Sequence, residues 1–358
     1  VDADIRALLR LEREQKRASA SRRAPADPAK RVSMADVAAL AGVSGQTVSR
    51  VVNDSPRVDT ATRARVEQAM ERLGYRPHAA ARALRTGRTH TIGLVASTFA
   101  TVGNSHMLQA VADAAAARGY ALVVVTLGAG GDVAGAFERL RDQGVDGAVV
   151  LNEATAIVRS ASGVPSVALV VVDAPEPAGD VRVVQSDHAG GARAAVEHLL
   201  GLGHATVWHL AGPADSFASA ERERGWREAL ATAGVEPPPV LRGDWTAATG
   251  HSASSALPPD ATAVFAANDQ SALGLLRGLA DAGRLVPGDV SVVGFDDIAD
   301  AADYRPPLTT VRQDFAELGR RAVGAVVAGI EGEEPSFEVL PTRLVVRAST
   351  AAPPAAGR

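Results

Sequence analysis

MADVAALAGVSGQTVSRVVN, residues 34–53, reads as two short helices joined by a tight turn. Met34 opens the first helix, and Val37, Ala38 and Leu40 are expected to form its apolar inner face. Gly42 supplies the left-handed backbone that stops a helix. Val43 packs into the turn, and Ser44 is a strong N-cap for the helix that follows. That second helix turns Gln46, Thr47, Ser49 and Arg50 outward and Val48, Val51 and Val52 inward. A glutamine amide matches the donor–acceptor pair of adenine, and an arginine fork matches guanine N7 and O6. An ordinary helical hairpin uses the same caps and spacing. Base-reading residue types gathered on one face favour a helix made for the DNA major groove, with Ser44, Gln46, Thr47, Ser49, Arg50 and Asn53 as its candidate contacts.

Charge supports that reading. Residues 1–90 carry 18 Lys and Arg against 10 Asp and Glu, whereas residues 91–358 carry 19 against 31. A basic module on an acidic body suits a partner such as double-stranded DNA. The chain has no cysteine, which excludes disulfides, thiolate catalysis and Cys-based zinc sites. Apolar runs such as ALVVVTLG (121–128) are too short to span a membrane. The charged start VDADIRALLRLEREQKR lacks a signal peptide's apolar stretch, so a cytoplasmic protein is expected.

Residues 1–31 read as a disordered basic extension, and 32–77 as a helix-turn-helix domain closed by a helix in TATRARVEQAMERLGY (60–75). Thr60 is its expected N-cap and Gly74 its stop. Residues 78–90, HAAARALRTGRTH, form a short basic linker. From Thr91 the pattern becomes strand–helix alternation. Apolar strands are expected at 91–97, 121–128, 146–152 and 166–173, then at 207–213, 263–269 and 290–297. Such runs, separated by amphipathic helices, predict two doubly wound parallel-sheet subdomains with a cleft at the strands' C-terminal ends. Polar residues gather at those ends: Asp173, Ser216, Asn268, Asp296 and Asp297. Each alone reads equally as a helix cap; as a set, with Arg222 and Trp245 nearby, they suit a small polar ligand.

The chain resembles the lactose-repressor family of bacterial transcription regulators over residues 32–350. MADVAALAGVS, QTVSRVVN, RPHAAARAL, HLAGP, AANDQSALG, SVVGFDD and PPLTTVRQDF stand in the family's order and spacing. GDW (243–245), NDQ (268–270) and QDF (313–315) are closer to the lactose branch than to the family average. The resemblance implies an all-α helix-turn-helix head on a periplasmic-binding-protein-like α/β core. It implies a core at 91–350, with an N-subdomain of about 91–187 plus 315–340 and a C-subdomain of about 188–314 plus 341–350, and a flexible tail at 351–358. Gln46 and Arg50 would read bases, and Leu84 of a hinge helix would wedge into the minor groove and bend the duplex; a core leucine is the alternative for Leu84. Gly45 departs from the lactose branch, which carries a base-reading tyrosine there, so operator sequence does not transfer.

In the cleft, the resemblance assigns effector contacts to Asp173, Ser216, Arg222, Trp245, Asn268, Asp296, Gln313 and Phe315 and implies a galactoside-like sugar. Thr101, Gly103 and Asn104 depart from the lactose branch on the opposite wall. The ending RASTAAPPAAGR carries no leucine heptads, so a homodimer on a palindromic site is expected. No cofactor, metal site or catalytic residue is expected: Gly128, Gly130 and Gly131 lack P-loop spacing, and the eight histidines show no metal-ligand pairing. A corepressor-responsive regulator and a sugar-binding protein without DNA function are the competing readings.

Overall fold

The computed structural model describes residues 32–53, 55–76, 83, 87–127, 132–151, 167–175 and 181–355. The chain divides into two compact units, residues 1–86 and 87–358.

In the first unit, α1 (Met34–Ala41), α2 (Gly45–Val52) and α3 (Thr60–Leu73) pack around Val37, Val48, Val51 and Val66. Ser33 starts α1 through a reciprocal capping box with Asp36. Gly42 ends it at φ 62°, in the left-handed region. Ser44 caps α2 by accepting from the Thr47 N–H at 3.1 Å. The third helix differs by one residue from the sequence reading: Asp59, not Thr60, is its N-cap, because the carboxylate accepts from Thr62 N–H at 2.9 Å and Thr60 already has helical backbone. Leu40 also departs from expectation. It is 44% exposed, since Val37, Ala38 and Ala41 already fill the stripe that faces α3.

Among the described residues, the second unit holds two six-stranded sheets. The first is built from β1 (Thr91–Ala96), β2 (Ala121–Thr126), β3 (Gly147–Leu151), β4 (Ala168–Val172), β5 (Arg182–Ser186) and β11 (Phe337–Leu340). Its order is β11-β5-β4-β3-β1-β2, parallel throughout. Helix α4 (Val102–Ala117) and α10 (Phe315–Ile330) cover one face through Met107, Val111, Leu318 and Val323. Helix α5 (Val133–Asp142) covers the other through Phe137 and Leu140. Buried on both faces, β1 and β3 need unbroken apolar sequence, and they have it.

The second sheet contains β6 (Trp208–Ala211), β7 (Leu241–Arg242), β8 (Ala263–Ala266), β9 (Ser291–Asp296), β10 (Thr309–Arg312) and β12 (Arg343–Val345). Its order is β12-β10-β9-β8-β6-β7, with β12 antiparallel to β10. Helices α6 (His188–Gly201) and α7 (Phe217–Thr232) pack on one face around Trp226 and Phe265. Helices α8 (Ala247–Ala253) and α9 (Asp269–Asp281) frame the other side.

The chain passes between the two lobes from β5 into α6, from β10 into α10, and from β11 into β12. The C-terminal ends of β4 and β9, on different sheets, therefore face a common cleft.

Candidate functional site

In the first unit, α2 turns Gln46 and Arg50 outward as exposed side chains, with Thr47 and Ser49 half-buried beside them. Asn53 ends the helix, its amide donating to the Ser49 carbonyl at 2.6 Å. Ser44 is exposed, and its hydroxyl lies 3.0 Å from that of Thr47. One face of α2 thus presents Ser44, Gln46, Thr47, Ser49, Arg50 and Asn53, while Val48 and Val51 hold the other in the core. Leu84 and Gly128, Gly130 and Gly131 lie outside the described residues.

In the second unit, a cavity of about 50 Å³ lies in the cleft between the lobes and opens to solvent. Asp173, Arg222, Trp245, Asn268, Asp296, Gln313 and Phe315 all line it, drawn together from the ends of different strands and helices. Ser216 does not line it. Its side chain is buried as the N-cap of α7, accepting from Ser219 N–H at 3.4 Å, and Ala218 takes the place at the wall. Thr101, Gly103, Asn104, Met107 and Leu318 complete the lining from the first lobe, which also supplies Asp173 and Phe315. A Cβ added at Gly103 would meet no atom within 4 Å, so this wall has room.

Arg222 is the centre of the polar wall. Its guanidinium lies 3.9 Å above the Phe295 ring and 5.4 Å from the Trp245 ring centroid. It donates to the Ala267 carbonyl and approaches Asp296 Oδ1 at 3.5 Å. The Gln313 amide donates to the same Asp296 oxygen at 2.7 Å. Burial drives the Asp296 carboxyl above its usual range, and the Arg222 charge opposes that shift. Asn268 does two jobs: its oxygen caps α9 at Ser271 N–H, and its amide holds the Trp245 carbonyl at 3.0 Å. Gly212 lets the indole lie down, since a Cβ there would stand 2.4 Å from the Trp245 ring. Asp297 turns away from its neighbour to pair with Arg312 and Arg347.

Sequence reasoning missed His188. It is 2% exposed at the start of α6, with Nε2 at 2.9 Å from Asp173 Oδ1 and Nδ1 at 3.3 Å from Arg222 Nε. Asp173, His188, Arg222, Asp296 and Gln313 consequently form one continuous polar chain that begins on the first lobe. Gln270 makes a second contact between lobes, accepting from Val102 N–H at 3.3 Å. Non-glycine residues with positive φ also concentrate here: Asp173 at 57°, Trp245 at 73°, Asp296 at 112° and Asp297 at 54°. Strained backbone of this kind persists where surrounding contacts hold it, and ligand sites are where it clusters.

Residues 33–78 match the bacterial regulatory proteins of the lacI family, and residues 196–350 match the periplasmic binding protein-like domain. The lactose operon repressor of Escherichia coli (strain K12) is 36% identical over 335 residues, covering 90% of this chain and 92% of the relative. The chain belongs to the lacI family of DNA-binding transcriptional regulators. Another relative, the HTH-type transcriptional regulator CelR of Thermobifida fusca, is 40% identical over 333 residues, 87% of this chain and 96% of that protein. Among solved structures, the lac repressor dimer bound to operator and the anti-inducer ONPF superposes with a TM-score of 0.77 at 34% identity. That match covers 90% of this chain and all of that one. The CelR–cellobiose complex gives a TM-score of 0.65 at 37% identity, over 89% of this chain and all of that one. Helix-turn-helix head and two-sheet core are therefore both family features. Among the described residues, no helix is long and apolar enough to cross a membrane, and no cluster of His, Asp or Glu has the grouping of a metal site.

Proposed function

We propose that this lacI-family regulator is a transcriptional repressor of a carbohydrate-utilisation operon, released from its operator when a neutral, galactoside-like sugar enters the cleft. The observation that carries this reading is the buried wall formed by Asp173, Arg222, Asn268, Asp296 and Gln313 beneath the Trp245 indole. Carboxylates, amides and a guanidinium at fixed positions suit adjacent hydroxyls, and an indole suits the C–H face of a pyranose. Arg222 is the one cation among the described lining residues, and it is already engaged by Asp296, so a phosphorylated or carboxylated ligand is poorly served. Phe315 packs at the edge, and the room at Gly103 suits a second ring or aglycone.

On the DNA side, Ser44, Gln46, Thr47, Ser49, Arg50 and Asn53 would contact the operator, with Leu84 as the minor-groove wedge. Effector would act by binding one of two conformations better than the other. The lac repressor structure bound to operator is a dimer, which supports a homodimer here. A β-glucoside such as cellobiose is the second reading, favoured by the CelR relative and its cellobiose complex. Gel-shift titration of the chain on DNA from upstream of its own gene, with galactose, lactose, cellobiose and ribose, tests the proposal. Release by lactose or galactose supports it, and release by cellobiose alone selects the second reading. Tighter binding on adding sugar would make the protein corepressor-responsive, and no preference over random duplex would refute DNA regulation.

A further inference from the structure

His188 is not in the cavity wall; it stands directly behind it. Its two ring nitrogens face partners of opposite demand. Arg222 is only a donor, so the Nε–H and Nη2 group that point at Nδ1, each at 3.3 Å, require a lone pair there. The neutral ring then carries its proton on Nε2, where it donates to Asp173 Oδ1 at 2.9 Å. The geometry selects one tautomer. We infer that His188 is the positioning residue that aims Arg222 into the effector cavity, that it does so only as the neutral Nε2–H imidazole, and that effector binding is therefore linked to a proton. This rests on the effector reading given above and adds to it the sign of a pH dependence.

The charged groups facing the ring are Asp173 from the end of β4, Arg222 from α7 and Asp296 from the end of β9, with the Phe295 ring tilted against it at 5.9 Å. A second proton on Nδ1 would point an N–H at the guanidinium N–H groups and set a cation against a cation between two buried side chains. Arg222 is tied to the Ala267 carbonyl and Asp296 as well, so it would have to rotate away from the position that serves a ligand. Asp173 belongs to the other lobe, so the same proton also changes a contact that bridges the cleft.

Two measurements on the full chain test this. Histidine-selective ¹⁵N labelling, with His188→Gln to assign the signal, reads the tautomer directly at pH 7.5. A protonated Nε2 and unprotonated Nδ1 are expected; the opposite tautomer or an imidazolium overturns the inference. Tryptophan fluorescence then follows lactose and cellobiose binding at pH 7.5 and 5.5. Wild type should lose affinity roughly fivefold or more on acidification, the sign expected when a neutral histidine is required. His188→Gln, whose amide accepts from Arg222 and donates to Asp173 without titrating, should bind similarly at both pH values, and His188→Leu should bind weakly at both. His106→Gln, which removes the exposed ring stacked on Phe315, should keep the wild-type pH dependence. A wild-type pH profile retained in His188→Gln overturns the inference. Absence of binding by either sugar at any pH counts against the effector reading, and the tautomer measurement still decides the role of His188.

Discussion

Asp269 holds the main-chain N–H of Ile298 with one carboxyl oxygen at 2.9 Å and takes the Thr310 hydroxyl with the other at 2.5 Å. It stands one residue past Asn268 and is fully buried, so it fixes the turn that carries Asp296 and Asp297 in their left-handed conformations. Asp269→Ala would strand a buried N–H and a hydroxyl, which costs about 1–3 kcal/mol for each unsatisfied group. Urea unfolding should show that loss, and sugar affinity should fall with it as the turn relaxes.

The same carboxyl has a pH signature. Burial, reinforced by the charge on Asp296, lifts it well above the usual carboxylate range. Above the ordinary carboxylate pKa the folded chain holds a proton that the unfolded chain releases, so this residue's contribution falls as pH rises. Asp269→Asn, which can donate to Thr310 and accept from Ile298, should lose less Tm than wild type between pH 5 and 8.

His209 works in the opposite direction. It lies fully buried, stacked on Phe265 at 4.9 Å, donating from Nδ1 to the Phe265 carbonyl at 3.0 Å. Burial lowers its pKa from 6.5 to about 4. Its stability contribution is complete above 6.5 and is lost as pH falls towards 4, amounting to about 3 kcal/mol over that window. Denaturant midpoints at pH 7.5 and 4.5 should converge in His209→Gln relative to wild type.

Helix packing supplies a further test. A Cβ at Gly274 of α9 would stand 1.8 Å from the Ala247 carbonyl oxygen of α8, and backbone cannot yield as a side chain can. Gly274→Ala should destabilise the core by about 1–3 kcal/mol or more, as overpacking does. Calorimetry should place its Tm below wild type, whereas Gly283→Ser in the following turn has open space around it and should suffer only from its φ of 71°.

On the recognition helix, Arg50→Ala should weaken operator binding by about 1–3 kcal/mol and relax preference at one base pair. Competition against single-base operator variants measures this. Equal weakening on every sequence would make Arg50 a phosphate contact. In the cleft, Arg222→Ala should leave operator affinity intact and abolish release by sugar, read in the same gel-shift titration.

Much of this was legible in the residues. Gly42 and Ser44 mark the turn between α1 and α2 because each carries a local backbone or capping role that neighbours do not override. The strands β1, β3, β8 and β9 are legible because burial on both faces demands uninterrupted apolar runs. By contrast β5, β7, β10, β11 and β12 carry residues such as Arg182, Arg242, Arg312, Glu338 and Arg343 that break their apolar pattern; pairing with distant strands creates them. Seven of the eight cleft residues expected from the resemblance line the cavity, and Ser216 instead serves as the cap that the sequence left open as its alternative. His188 escaped because a histidine just after Asp187 looks like the first turn of an ordinary helix. The available signal was its position after a strand, equivalent to the positions of the other polar residues at the cleft. Asp269 and Gln270 lie inside the AANDQSALG motif, although each has a separate task.

The three passages between lobes carry a consequence for how the protein is made and dissected. The first sheet lacks its outer strand until residue 340 has been synthesised, and the second lacks its own until residue 345. Neither half is a contiguous piece that a protease site or a ribosome could deliver complete, so fragments cut between them would each leave an open sheet edge. The core should consequently melt in a single cooperative step, and an early stop codon anywhere before Phe337 should cost both halves at once.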